Sequence, residues 1–144
     1  MFKKTSFLCL LTLSVVAQQK VKISENLSEK KISVTIGDKL FTNYFYPGKD
    51  VLKKAVLYPV FSPQGTAVTR GWPLDPRNGE RVDHPHHVGV WLNYEDANGH
   101  DFWNNSIEIE KEGTNRVFGT IVHTGVSKIK SGKNKISSIV TILV

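Results

Sequence analysis

The amino-acid sequence predicts an all-β fold, an antiparallel β-sandwich, on three observations. From Lys20 onward, short segments alternate apolar and polar side chains, as a sheet with one buried face requires. Turns containing Gly, Pro, Asn or Asp separate those segments. No segment past the N-terminal apolar run sustains the 3.6-residue periodicity of an amphipathic helix. A sandwich is the natural way for such strands to bury one face of each sheet.

Taken in order, Ile32, Val34 and Ile36 mark one face of a strand, and Gly37-Asp38 turns the chain into a second strand over Lys39 to Tyr46. Pro47-Gly48 ends that hairpin. Asp50 to Lys54 makes a helical turn or a loop before the apolar strand Ala55 to Phe61. Between Ser62 and Pro85 lie four of the six prolines and three glycines, with a strand expected only at Thr66 to Arg70. A long, poorly periodic connection in a compact domain is more often a functional loop than filler. His87 to Tyr94 reads as the next strand, followed by a turn at Glu95 to Gly99 in which Asn98-Gly99 supplies positive φ angles. Ser106 to Glu110 alternates Ile with Glu and reads as a strand with one wet face. Arg116 to Thr124, Val126 to Lys130 and Ile136 to Val144 complete the series, with turns at Gly113-Thr114-Asn115 and Ser131 to Asn134.

The first 17 residues read as a secretory signal peptide. Lys3 and Lys4 form the basic start, Phe7 to Ala17 the apolar run, and Val15 and Ala17 the small-residue cleavage site. Eleven residues are too few to span a bilayer core, which takes about 20 in a helix. The chain is therefore expected to be exported to the periplasm or beyond, with no stable membrane insertion after cleavage and one domain over residues 18–144. Without Lys3 and Lys4, 17 of the 19 basic residues face 13 acidic ones, a net charge of +4, and the only cysteine, Cys9, is gone. No disulfide framework is expected. The basic residues cluster at Lys20 to Lys31 and Lys128 to Lys135 without interleaved aromatics, which argues against a nucleic-acid partner. The chain stops at Ile142-Leu143-Val144 inside a β-branched run, so the domain reads as a C-terminally truncated copy.

The chemistry-bearing residues concentrate between Asp83 and Trp103, which hold four of five histidines and two of three tryptophans, with no Lys or Arg between Arg81 and Lys111. Pro85 biases His84 to an extended conformation, so His84 and His86 point to one side and His87 to the other unless the backbone bends. His84, His86 and His87 are candidates for acid, base or hydrogen-bonding work on a substrate, because imidazole titrates near neutral pH. His84 and His86, joined by Asp83 or by His123 from a later strand, are the candidate ligands of one divalent metal. The third reading has the histidines bracing the Pro-rich loop. His84-x-His86 also resembles the start of a cupin metal motif, but Val90 and Trp91 stand where that motif expects glutamate.

Flat rings beside Asp, Asn and His are what a sugar-binding cleft uses. Trp72 and Trp103, in loops, are the candidate walls, and Trp91 is assigned to the core. Arg70 is a candidate clamp for a carboxylate or a partner for Asp83 or Asp101. Asn98 and Asp101 are candidate ligand contacts or turn residues. No GxSxG, phosphate loop or cysteine nucleophile is present in the mature chain.

The order of these residues resembles a known family. The run Tyr58 to Gly65, then Val68-Thr69-Arg70, Trp72-Pro73, Asp83 to Trp91 and Asn98 to Trp103 is similar to the PmoA-like family, which carries a methane-oxygenase label but is effectively a domain of unknown function. The resemblance implies an exported β-sandwich protein met among carbohydrate-utilisation proteins, with His84, His86 and His87 in one signature block and Asn98, Asp101 and Trp103 in another. It also implies Arg where this chain has Val88. The label implies a membrane oxygenase subunit, whereas no segment after the apolar N-terminus is long enough to span a bilayer. The leading expectation is a small-molecule or glycan ligand held at a His/Trp-lined site. A Cu or Fe oxygenase and a truncated, inactive product are the alternatives.

Overall fold

Alternation at Val21, Ile23, Ile32 and Val34 puts four branched side chains on one face of two adjacent strands, and these four form a buried cluster. The computed structural model describes residues 19–132 and 137–143. Strands β1 (Val21–Asn26), β2 (Lys31–Ile36), β3 (Lys39–Phe45) and β4 (Val56–Val60) form one antiparallel sheet in that order. The β1–β2 turn is closed by Asn26, whose Oδ1 accepts from Ser28 Oγ and from Glu29 N. Gly37, at φ 62, provides the β2–β3 turn as its sequence predicts.

A second, two-stranded sheet pairs β5 (Val122–Lys130) with β6 (Ser137–Leu143). It is fastened to β1, where Val21 and Gly132 exchange backbone hydrogen bonds of 3.0 and 3.2 Å. Ile23 N also donates to Ser131 Oγ, and Val126 packs on the β1–β2 cluster. A separate cluster joins Leu52, Val56, Tyr58 and Val88, flanked by Phe45, Leu74 and Trp91. Val56 and Val88 are 1% exposed, and each such side chain contributes about 1.5–3 kcal/mol of burial free energy. This second cluster carries the histidine segment against β4.

The all-β class stands, but several elements differ from expectation. Residues 106–110 are not a strand. Ser106 caps a short helix, α1 (Ile107–Lys111), by accepting from Ile109 N, with Glu108 and Glu110 in its first turn. Alternation over five residues fits one helical turn as well as a strand, and the cap decides the outcome. Residues 87–94 form no strand; one bridge, Leu57 with Val90, holds them to β4. Gly89, at φ 58, bends the backbone just before that bridge. Residues 66–70 contribute only the pairing of Ala67 with Phe61. The two strands expected at 116–124 and 126–130 become one, β5, with irregular register at Gly125 and Val126. Strand β1 was not foreseen, because its alternation is short and embedded in a charged segment. The signal-peptide expectation and the chain end at Val144 lie outside the described residues. No helix among the described residues is long and apolar enough to cross a membrane.

Gly89 tests the attachment of the histidine segment. A Cβ there would collide with the Leu57 carbonyl at a positive φ, so the bridge to β4 must open. Gly89→Ala is expected to lower stability by about 2–4 kcal/mol in a urea titration.

Candidate functional site

The histidine cluster is made by a turn. His87 N donates to His84 O at 2.9 Å, which closes the chain around Pro85-His86, and His84 sits at φ 47. This bend brings together rings that an extended chain would have separated. The centroids of His86 and His87 are 4.2 Å apart, those of His84 and His87 5.1 Å, and those of His84 and His86 5.7 Å. His87 also stacks on Trp91 at 5.6 Å and meets Trp103 edge-on at 6.4 Å. Trp103 is 44% exposed, so an indole face stands open beside the imidazoles.

Arg70 holds the turn from behind. Its guanidinium donates to the carbonyls of Arg81 (2.7 Å) and Asp83 (2.6 Å) and lies 3.4 Å from the Asp83 carboxylate. These contacts make Arg70 a brace for the histidine loop. Asp83 also pairs with Arg81 at 2.9 Å and lies 3.4 Å from His84 Nδ1.

A residue that sequence reasoning missed lies behind the rings. Lys54 is 2% exposed, and its ammonium donates to Asn105 Oδ1 at 2.9 Å and lies 5.0 Å from the centre of the Trp91 ring. Asn105, itself buried, donates in turn to Gly119 O. Burial lowers the Lys54 pKa from 10.5 to about 8, against an opposing pull from Asp101. In the sequence Lys54 is one of many lysines in a turn. Only the spatial convergence of β4 and the 103–106 segment marks it out.

His86 is 6% exposed and its Nδ1 has no partner among the described residues. Burial, then unfavourable coupling to His87, Lys54 and His84, lowers its pKa from 6.5 to about 4, with Asp101 opposing. His87 is lowered as well, by burial first and then by His84, Arg70 and Lys54. Both imidazoles are therefore neutral at pH 7, each able to donate at one nitrogen and accept at the other. That suits hydrogen bonding to hydroxyls and general-base work.

The other candidates are placed elsewhere. Asp101 accepts from Trp103 N, Asn104 N, Asn104 Nδ2 and Arg116, a cap-like arrangement that fixes the approach of Trp103. Its partial burial would raise the carboxyl, but those hydrogen bonds outweigh it and hold it below the usual carboxylate range. Asn98 is exposed at the tip of the 97–100 turn, at φ 56, and its carbonyl lies 3.1 Å from His100 Nδ1. Trp72 is half-buried, makes no ring contact with the histidines among the described residues, and has an unpartnered Nε1. Its loop is braced by Glu80 accepting from Gly71 N and Arg77 donating to Thr69 O. Trp91 packs on the second core cluster, as its expected core role requires. Val88 is fully buried there too, a position with no room for the arginine that the resemblance implied.

His123 does not join His84 and His86. It lies on β5, stacked on Tyr46 at 3.9 Å and edge-on to Tyr44 at 5.5 Å. Among the described residues, no three His, Cys, Asp or Glu side chains are arranged to hold a metal ion. The expected His84, His86 and His123 ligand set is thus split between two clusters, because β5 pairs with β6 and packs toward β1 rather than over the histidine turn.

A family model described as a family of unknown function (DUF6807) matches residues 31–142. The match carries neither the PmoA-like name nor an oxygenase activity. No curated protein and no solved structure matches the chain.

Two outcomes follow from this geometry. Asn105→Ala leaves a buried ammonium without its acceptor and is expected to cost about 2–4 kcal/mol in a denaturant titration, whereas Lys54→Met with Asn105→Leu recovers most of that loss. The depressed His86 pKa means that the unfolded chain takes up a proton before the folded one. Stability is therefore full above pH 6.5 and falls as the pH drops from 6.5 towards about 4. His86→Gln should flatten that part of a thermal-midpoint against pH curve; an unchanged slope would show that His86 is not the group responsible.

Proposed function

The chain belongs to the DUF6807 family of unknown function, matched over residues 31–142, and from that premise we propose that it is an exported protein that binds carbohydrate at the histidine turn. The observation that carries this reading is the open Trp103 ring set edge-on to His87, with neutral His86 and His87 beside it. An exposed indole offers a face for the C–H side of a sugar ring, and neutral imidazoles match hydroxyls as paired donors and acceptors. Arg70, Asp101 and Lys54 position these groups, and Trp91 backs His87. Asn98 and Trp72, outside the ring cluster, are not assigned to this surface.

The oxygenase alternative came from the label of the family that the sequence resembles, and the family match does not carry that activity.

The test is calorimetric titration of a panel of neutral oligosaccharides, such as cellobiose, xylobiose and maltotriose. Trp103→Ala is expected to weaken the best ligand about tenfold or more, in line with the loss of one stacking aromatic. His86→Ala with His87→Ala should weaken it similarly. Unchanged affinity in Trp103→Ala removes the proposal. Where the wild-type protein turns over a glycan, loss of turnover with binding retained in His86→Ala assigns that histidine to chemistry as well.

A further inference from the structure

Trp103 connects two clefts, and only one of them touches the histidine turn. The first, of about 430 Å³, is lined by Arg70, Glu80, Arg81, Asp83, His84 and His87. The second, of about 660 Å³, lies between residues 94–101 and 115–117, and nothing above gives it a role. At about 30 Å³ per water in the liquid, these volumes hold on the order of 14 and 22 non-hydrogen atoms, roughly one sugar unit and two.

One carboxylate joins the second cleft to Trp103. Asp101 lines the cleft, its Oδ1 accepts from Trp103 N at 2.8 Å, and its Oδ2 accepts from Arg116 Nη1 at 3.0 Å. On the histidine side, His87 lines the first cleft and meets Trp103 edge-on. His84, His87, Trp103, Asp101 and Arg116 therefore form one connected row. The walls of the second cleft are fixed by backbone. Ala97 and His100 exchange hydrogen bonds of 3.0 and 3.1 Å, Gly99 N donates to Asp96 Oδ1, and Asp101 N donates to Val117 O at 2.8 Å. A ligand meets a formed surface there and loses little to ordering it. The groups that line it are within a ligand's reach. Tyr94 is 71% exposed, and its carbonyl accepts from Phe102 N, which anchors it beside the residue preceding Trp103. The Arg116 side chain is 58% exposed and keeps donors beyond the one given to Asp101. Glu95 and Asp96 add acceptors on the facing side. An aromatic face with donors and acceptors of both signs matches sugar rings and their hydroxyls, and the mixed charge favours a neutral ligand.

We propose that the second cleft is a further carbohydrate subsite, with Tyr94 as its stacking platform and Arg116, Glu95 and Asp96 as its hydroxyl partners. The ligand is then a neutral glycan chain that runs from the histidine turn across Trp103 to Tyr94 and is held through several consecutive units. This inference rests on the reading of Trp103 and the histidines as a carbohydrate surface, and adds to it the length of the ligand. Joining a second subsite to the first makes its contacts intramolecular once one part of the chain is seated, so affinity rises with chain length.

The experiment is calorimetric titration of the full chain with the cello-, xylo- and malto-oligosaccharide series from disaccharide to hexasaccharide. In at least one series the hexasaccharide is expected to bind more than about tenfold more tightly than the disaccharide, above the roughly fivefold that the extra binding registers of a longer chain give by statistics alone. Tyr94→Ala, at an exposed position, should keep its thermal midpoint, weaken the hexasaccharide about fivefold or more and change the disaccharide less than about twofold. Trp103→Ala should weaken both lengths. A disaccharide that depends on Trp103 with no more than the statistical gain for the hexasaccharide overturns the second subsite and leaves carbohydrate binding at Trp103 standing. Hexasaccharide binding indifferent to Tyr94→Ala, or an equal loss at both lengths, overturns it as well. If no member of any series binds, this inference falls together with carbohydrate binding at Trp103.

Discussion

The hydrogen bond from Lys54 Nζ to Asn105 Oδ1 ties together parts of the chain that have no strand pairing in common. Lys54 precedes β4, and Asn105 precedes the capped start of α1. Around this bond Lys53 pairs with Glu110 at 2.7 Å, Ile121 N donates to Lys53 O, and Asn105 Nδ2 donates to Gly119 O. Four segments are thereby gathered on one buried cation. A buried ammonium is tolerated only where its protons find acceptors, so the position of Asn105 is set by Lys54 as strictly as by its own neighbours. Burial first, and this cation among the nearby charges, lowers the His86 and His87 pKa values, and the same ammonium faces the Trp91 ring.

The histidine turn is built from loop rather than sheet, and its order comes from side chains bonding to backbone. Arg70 is fixed on two carbonyls, Arg77 on a third, Glu80 on the amide of Gly71, and Asp101 on two amides near Trp103. A segment without ladder partners must satisfy its polar groups this way. The result places rings accurately while leaving Trp103 and His84 exposed to solvent. The apolar side of the same segment, Val88 and Trp91, packs against Val56 and Tyr58, so one stretch of chain serves both as core and as site.

The pieces legible beforehand were those governed by neighbours in sequence. The β2–β3 hairpin follows from Ile32, Val34 and Ile36 and the Gly37 turn, and the Asn98-Gly99 turn follows from its positive φ angles. The concentration of His and Trp between Asp83 and Trp103 marked the candidate site. The errors share one cause. Residues 87–94 and 106–110 alternate as strands do, but alternation over so few residues does not say whether a partner strand exists. For the first the sheet pairing among the described residues is a single bridge, and for the second the Ser106 cap favours a helix.

The amino-acid sequence by itself determined the all-β class, the hairpins and the identity of the rings at the histidine turn, because these depend on side-chain period, turn chemistry and composition. Only the tertiary structure decided which rings meet. It drew His84, His86 and His87 together by a bend at Pro85 and sent His123 to Tyr46. It spent Arg70 and Asp101 on backbone groups and buried Lys54 behind the site. Those outcomes depend on contacts between residues far apart in the chain, where burial makes every unpaired polar atom costly, and that cost is set by the surrounding fold rather than by any local pattern.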